Sequence, residues 1–155
     1  SILVILIEKM KGLTTGRFIT LYALIRQLAG LFGIRLSAQP QFVRPIVNPM
    51  AQAAANARYG KISEADEEII KAKSAANENF ANFFAQNTFA ASAGVLLISG
   101  TLTSLGYEVQ ATSIVLVALI IAGISFVLIA IDNFLFDLKM DRKYGKKSSK
   151  GGQKS

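Results

Sequence analysis

The stretch IVLVALIIAGISFVLIAI, from Ile114 to Ile131, decides what kind of protein this is. It runs eighteen residues without a charge and is built from Ile, Val, Leu and Ala. Extended to Thr112–Phe136, a helix at 1.5 Å per residue covers a hydrocarbon core of about 30 Å. Asp132 and Asn133 fall near its end, with Phe134 and Phe136 at the interface. The tail beginning at Lys139 then holds seven Lys/Arg against Asp141 alone. From Ser1 to Asp137, by contrast, ten basic residues face nine acidic ones, so nearly all of the net +7 belongs to the tail. A basic cluster directly after an apolar span is the positive-inside signal, which places the C-terminus in the cytoplasm. The Gly, Ser and Lys of the tail offer nothing to bury, so it is expected to be disordered.

The composition agrees. Of 155 residues, 52% are hydrophobic and only 17% charged, whereas soluble domains carry about 25% charge. A chain this short has too little interior to hide that much apolar surface. There is no Cys and no His. That excludes a disulfide framework, a zinc site and any nucleophile–base pair built on those residues, so an enzyme is not expected. A +7 charge confined to one tail does not describe a nucleic-acid-binding face, and no nucleic acid partner is expected.

Toward the N-terminus, Ile2–Ile7 is apolar but lacks both a basic start and a cleavage site, so it reads as an interfacial helix or the end of a span. Thr14 or Thr15 can cap a helix from Gly16 to about Ile34. Its apolar residues cover most of its circumference, with Arg26 and Gln27 interrupting the middle. Arg17 and Arg35 can snorkel from its ends. Arg26 is too deep for that, and either a salt bridge to another helix or contact with a substrate would account for it.

All three prolines lie within residues 39–50, in QPQFVRPIVNPM. Pro40, Pro45 and Pro49 each remove a backbone donor and disfavour helix at the preceding residue, which predicts a discontinuous segment. Such segments build substrate sites near the bilayer midplane, with helix N-termini facing anionic groups; a surface loop is the alternative. Arg44 and Asn48 lie within it. Ala-rich residues 50–57 then form a helix closed at Gly60. Ser63, followed by four carboxylates in residues 64–68, reads as the capped start of a charged, extramembrane connection.

From Asn79 to Tyr107 there is no charge, but the first half is rich in amides. Glu78, Asn79, Asn82 and Gln86 fall within an arc of about 100° on a helix, with Asn87 beside them and Phe80, Phe83 and Phe84 outside it. The stripe can hold a polar ligand or serve as interhelical glue. Ser92–Gly94 and Ser99–Thr101 interrupt the apolar run beyond the stripe, so residues 76–106 form either a re-entrant hairpin or two short helices.

Several of these landmarks resemble a bacterial family of permease subunits of unknown domain function. They are Thr15-Gly16-Arg17, Leu24-Ile25-Arg26-Gln27, Pro40-Gln41-Phe42-Val43-Arg44-Pro45 with Pro49-Met50-Ala51, Ala57-Arg58-Tyr59-Gly60, the amide segment from Ala75 to Asn87, and Gly106-Tyr107-Glu108-Val109. That family is identified as one of two integral subunits of a 5-oxoproline (pyroglutamate) transporter. The resemblance implies a second permease subunit as partner, an inverted-repeat carrier fold and further N-terminal spans, so that the chain is the C-terminal portion of a longer protein.

The expectation is therefore an all-α integral membrane protein of the bacterial inner membrane with about three or four membrane helices. Residues 1–138 form the membrane domain and 139–155 a basic cytoplasmic tail. The function expected is transport of a small carboxylate, with no cofactor beyond a coupling Na+ or H+. Arg44, Asn48, Asn79, Asn82, Gln86 and Asn87 would bind substrate, supported by Arg26, Gln27, Pro40, Pro45 and Pro49. A non-transporting scaffold or assembly subunit is the alternative.

Overall fold

A computed structural model describes residues 13–33 and 43–145. The apolar start, Pro40 and the tail beyond Gly145 lie outside the described residues. The described residues form five α-helices and no strand: α1 (Thr15–Leu31), α2 (Asn48–Tyr59), α3 (Glu64–Asn87), α4 (Ala93–Ser104) and α5 (Ala111–Met140). Single π-helical turns precede α2 (Val43–Val47) and extend α5 (Asp141–Gly145).

Local chemistry explains most of the boundaries. Thr14 caps α1 by accepting the Arg17 N–H at 3.4 Å, and Ser63 caps α3 by accepting the Asp66 N–H. Gly60 ends α2 at φ +72°, a conformation that favours glycine. The helix beginning at Ser63 does not stop as a short extramembrane connection. It runs 24 residues to Asn87, because nothing between Lys71 and Asn87 breaks it.

The proline segment is more regular than its sequence suggests. Val47 is itself in the right-handed helical conformation, so the π-turn passes directly into α2. Pro49 stands in the first turn of α2, where a missing N–H costs no intrahelical bond. The wider π-turn accommodates Pro45. The C-terminal boundary also moves. Residues 139–145, expected to be disordered, continue α5 and its π-turn, since Met140 and Tyr144 are buried against the core.

Three helices form the frame. Thr20 of α1, Asn77 of α3 and Asn133 of α5 meet at one level, Gly16 faces Asp137, and Gly30 faces Ala85. These pairings make α1 and α3 parallel and α5 antiparallel to both. At the end bearing the C-terminus of α5, Phe18, Ile19, Val47, Ile70, Phe136 and Met140 form the main apolar core, closed by α2. Farther along, Ala23, Ala81 and Ile129 form a second, smaller apolar cluster. Small residues there let the helices approach closely.

Among the described residues one helix, Ala111–Gly145, is long and apolar enough to cross a membrane, with a mean hydropathy of 3.2 over its best window. Only 11% of that window is buried. Leu116, Ile120, Ile124 and Leu128 of α5 point outward, as do Leu96 and Leu97 of α4.

The α1–α5 approach depends on Gly16. A Cβ there would lie 2.2 Å from the Asn133 carbonyl oxygen and 2.7 Å from an Asp137 carboxylate oxygen. Gly16→Ala is expected to destabilise the fold by about 1–3 kcal/mol through overpacking. Gly123→Ala in α5, where a Cβ meets nothing within 4 Å, should be neutral or gain up to about 1 kcal/mol of helix propensity. Thermal unfolding of the two variants under the same conditions distinguishes them.

Candidate functional site

The polar groups of the helical frame gather into a seam between α1, α3 and α5. At one end Asp137 accepts the Gly16 N–H at 2.8 Å and a hydrogen bond from the Thr14 hydroxyl. A carboxylate from α5 thus sits on the N-terminus of α1, where the helix dipole favours negative charge. Next along the seam, Asn133 donates to Asn77 Oδ1 at 2.8 Å and to Thr20 Oγ1 at 3.0 Å. Farther in, Arg26 Nε donates to Glu78 Oε1 at 3.1 Å, with both side chains almost fully buried. Tyr22 donates its hydroxyl proton to the other Glu78 oxygen, and Arg26 Nη2 donates to Asn82 Oδ1 at 2.5 Å.

This arrangement distributes the expected site residues over separate places. Arg26 and Asn82 are brought together, and Glu78 meets them as the counter-ion. A buried charge needs such pairing, since desolvation of an isolated ion costs several kcal/mol. Gln27 is beside them in sequence, and its Nε2 is buried without a hydrogen-bond partner. Arg44, Pro45 and Pro49 are exposed. Asn48 is half-buried and accepts from Gln52 Nε2 at 3.1 Å. Asn79 and Gln86 are exposed on α3.

Asn87 donates to the Phe83 carbonyl at 2.9 Å and lines an open, apolar groove of about 620 Å³ between the end of α3, α4 and the start of α5. Phe84, Val95, Ile98, Ser113 and Val117 complete its walls. The two sets do not form a single pocket. Val43 and Val47, which flank Arg44, pack in the same core as Ile70. Asn87 is seventeen residues farther along α3, a rise of about 25 Å.

Glu78, Asn77, Asn133 and Asp137 matter more than their sequence positions suggest. Asn133 and Asp137 are spaced i, i+4 at the end of an apolar helix, which puts both on one face. That spacing is the signal in the sequence for a polar partner surface. Among the described residues no group of three or more carboxylates gathers to hold a metal ion.

A second polar cluster fastens the start of α3 to the end of α5 at one end of the frame. Asp66 accepts from Ser63 Oγ at 2.6 Å, from Lys143 Nζ at 2.5 Å and from the Tyr144 hydroxyl. Burial works to raise this carboxyl, but the hydrogen bonds from Lys143, Ser63 and Tyr144 outweigh it and hold it down at about 2. Asp141, bonded to the Tyr59 hydroxyl at 2.7 Å and to Arg58 at 3.1 Å, is also lowered, first by the Tyr59 bond. Tyr59 is pushed up to about 12 by burial and by its bond to Asp141.

The family model described as "Protein of unknown function (DUF969)" matches residues 4–141. The chain belongs to the DUF969 family. No curated protein and no solved structure matches it. The match covers every described α-helix of this DUF969 chain and ends four residues before the end of the α5 π-turn.

The polar clusters can be tested by substitution. Glu78→Gln leaves Arg26 buried without its counter-ion and should cost about 3–5 kcal/mol, while the joint change Arg26→Met with Glu78→Leu should recover most of it; thermal melts of the three proteins read this directly. The carboxyl of Asp66 is lower in the folded state than its ordinary 3.8. Its stabilisation is therefore complete above about pH 4 and lost as pH falls through about 2. Asp66→Asn should cost about 1–2 kcal/mol at pH 7, allowing for screening at the half-exposed Lys143, and almost nothing near pH 2.

Proposed function

We propose that this DUF969 chain is an integral-membrane subunit of a secondary transporter for a small carboxylate, with 5-oxoproline the first substrate to test. It works by alternating access together with a second permease subunit, coupled to Na+ or H+. One observation carries the membrane part of this reading: charged and amide groups are buried between the helices while long apolar side chains of α5 face outward. Arg26, Glu78, Asn133 and Asp137 are buried, while Ile120, Ile124, Val127 and Leu128 are exposed. Water penalises that distribution and a bilayer rewards it.

The Asp66–Lys143 ion pair supports a definite topology. It puts the start of α3 on the same side as the end of α5, and the basic tail makes that side cytoplasmic. Helices α1 and α3 then run outward and α5 returns. From Lys73, which pairs with Asp132, to Asn87, α3 rises about 21 Å, short of the 30 Å core. With α4 completing the passage after the break at Thr88–Ser92, residues 76–106 cross once in two pieces instead of turning back.

In this frame Arg44 and the N-terminus of α2 meet the carboxylate near the cytoplasmic side, where among the described residues no acidic partner engages Arg44. Asn87 and the groove beside it lie toward the other side. Asn79, Asn82 and Gln86 stand between them along α3, with Arg26 and Gln27 at the same depth as Asn82.

The scaffold reading has its own support, since Asn77 and Asn82 are both spent on interhelical hydrogen bonds. The two readings part on Arg44→Gln. The transporter reading expects loss of labelled 5-oxoproline uptake with membrane insertion unchanged, and unchanged uptake removes Arg44 from the site. Cysteine placed at Glu67, in a chain with no native Cys, should react with an impermeant maleimide only after the cells are opened. Labelling in intact cells would reverse the topology.

A further inference from the structure

A second groove, of about 330 Å³, runs between α1 and α5 on the face away from α3. Its floor and walls are Leu21, Leu24, Phe126, Ala130 and Phe134, and Arg17 and Asp137 stand at one end. We propose that this groove binds one acyl chain of an anionic phospholipid of the cytoplasmic leaflet, with the phosphate held by Arg17. The proposal rests on the membrane reading above but not on transport.

Three observations point to a lipid. The first is length. From Asp137 to Phe126, α5 rises about 16 Å, half of a 30 Å hydrocarbon core, so the groove spans one leaflet.

The second is the absence of free polar groups below the mouth. Thr20 Oγ1 donates to the Gly16 carbonyl at 2.8 Å and accepts from Asn133. Both Asp137 oxygens are occupied by Thr14 and Gly16. What remains of the lining is hydrocarbon, which suits an acyl chain and offers nothing to a polar ligand.

The third is charge. The Arg17 side chain is exposed, and among the described residues no ion pair engages it. Asp141, which feels the Arg17 charge, is already held by Arg58 and Tyr59. Lys139 and Arg142 lie at the same end of α5, where Lys143 is already paired with Asp66. An exposed arginine at the tail side of an apolar inter-helix groove, beside a carboxylate already spent on Thr14 and Gly16, matches an anionic headgroup better than a zwitterionic one.

The test uses the full chain purified from an equimolar mixture of phosphatidylglycerol and phosphatidylcholine, with retained lipid measured by native mass spectrometry. The wild-type protein should retain phosphatidylglycerol about fivefold over phosphatidylcholine. Arg17→Gln should abolish that preference while still retaining lipid, and Ala130→Trp, which fills the groove, should release lipid of both kinds. Equal retention of the two lipids by the wild type, or undiminished retention by a folded Ala130→Trp, overturns the proposal. A photo-crosslinking residue at position Leu24 in the otherwise unchanged chain should form lipid adducts; adducts to a polypeptide helix instead would overturn it. A chain released from membranes by alkaline carbonate would overturn the membrane reading itself, whereas a retained chain without lipid preference would sink only the lipid site.

Discussion

The polar seam exists because Gly16 has no side chain. Its Cα surface lets the first turn of α1 lie against the Asn133 carbonyl of α5, at a distance no Cβ could tolerate. At that separation Asp137 reaches the Gly16 N–H and the Thr14 hydroxyl, and its carboxylate takes the place that a water molecule or a capping side chain would fill elsewhere. One turn earlier on α5, Asn133 then falls between Thr20 and Asn77. The register set at Gly16 is thus carried along α5 to the Asn77 level and onto α3. There Gly30 and Ala85 make a second approach of the same kind, a Cβ on Gly30 falling 2.3 Å from that of Ala85. Two glycines of α1 act as spacers of zero width, and the Arg26–Glu78 pair is enclosed between them.

That enclosure limits what Arg26 can do. Its charge is matched by Glu78, and the Glu78 carboxylate is itself fixed by Tyr22. A substrate carboxylate approaching Arg26 would have to displace a counter-ion already held by two donors in a medium where the pair is weakly screened. Arg44 carries no such counter-ion among the described residues and stands exposed on a π-turn, a geometry often found at functional positions. Of the two arginines, the buried one already has its counter-ion and the exposed one does not, among the described residues. Depth in the sequence pattern and availability in the fold point in opposite directions here.

How much of this is legible in the sequence varies with the range of the interaction. The Thr14 and Ser63 caps and the Gly60 stop depend on a few adjacent residues and can be read directly. So can the long apolar helix, whose signal is composition alone. The amide stripe is legible as a stripe but not as a site, because its arc depends on one helix while its partners lie on others. Glu78 stands among the amides in sequence, yet only the parallel packing of α1 shows that it answers Arg26 across 52 positions. Asp137 is the least visible, being one more charge near a basic tail until Gly16 brings an N-terminus to it. The proline segment misleads for a local reason. Proline excludes an ordinary helix interior, but a first turn and a widened π-turn both accept it.

The basic tail and the α3 terminus are separate features in the sequence, and their contact in the fold changes what each means. Lys143 and Tyr144 extend α5 beyond its apolar length and close on Asp66, while Asp141 closes on Arg58 and Tyr59. The end of α2, the start of α3 and the end of α5 are therefore fastened at one level by ion pairs that would be costly within hydrocarbon and inexpensive at an aqueous boundary. Among the described residues nothing comparable fastens the opposite end, where α4 and the start of α5 meet through the Ser99–Val109 hydrogen bond and apolar contacts beside an open groove. An assembly held firmly at one face and loosely at the other has a natural direction for motion. In the proposed carrier, the face with the open groove is the one free to rearrange against a partner, and the fastened face supplies the fixed frame.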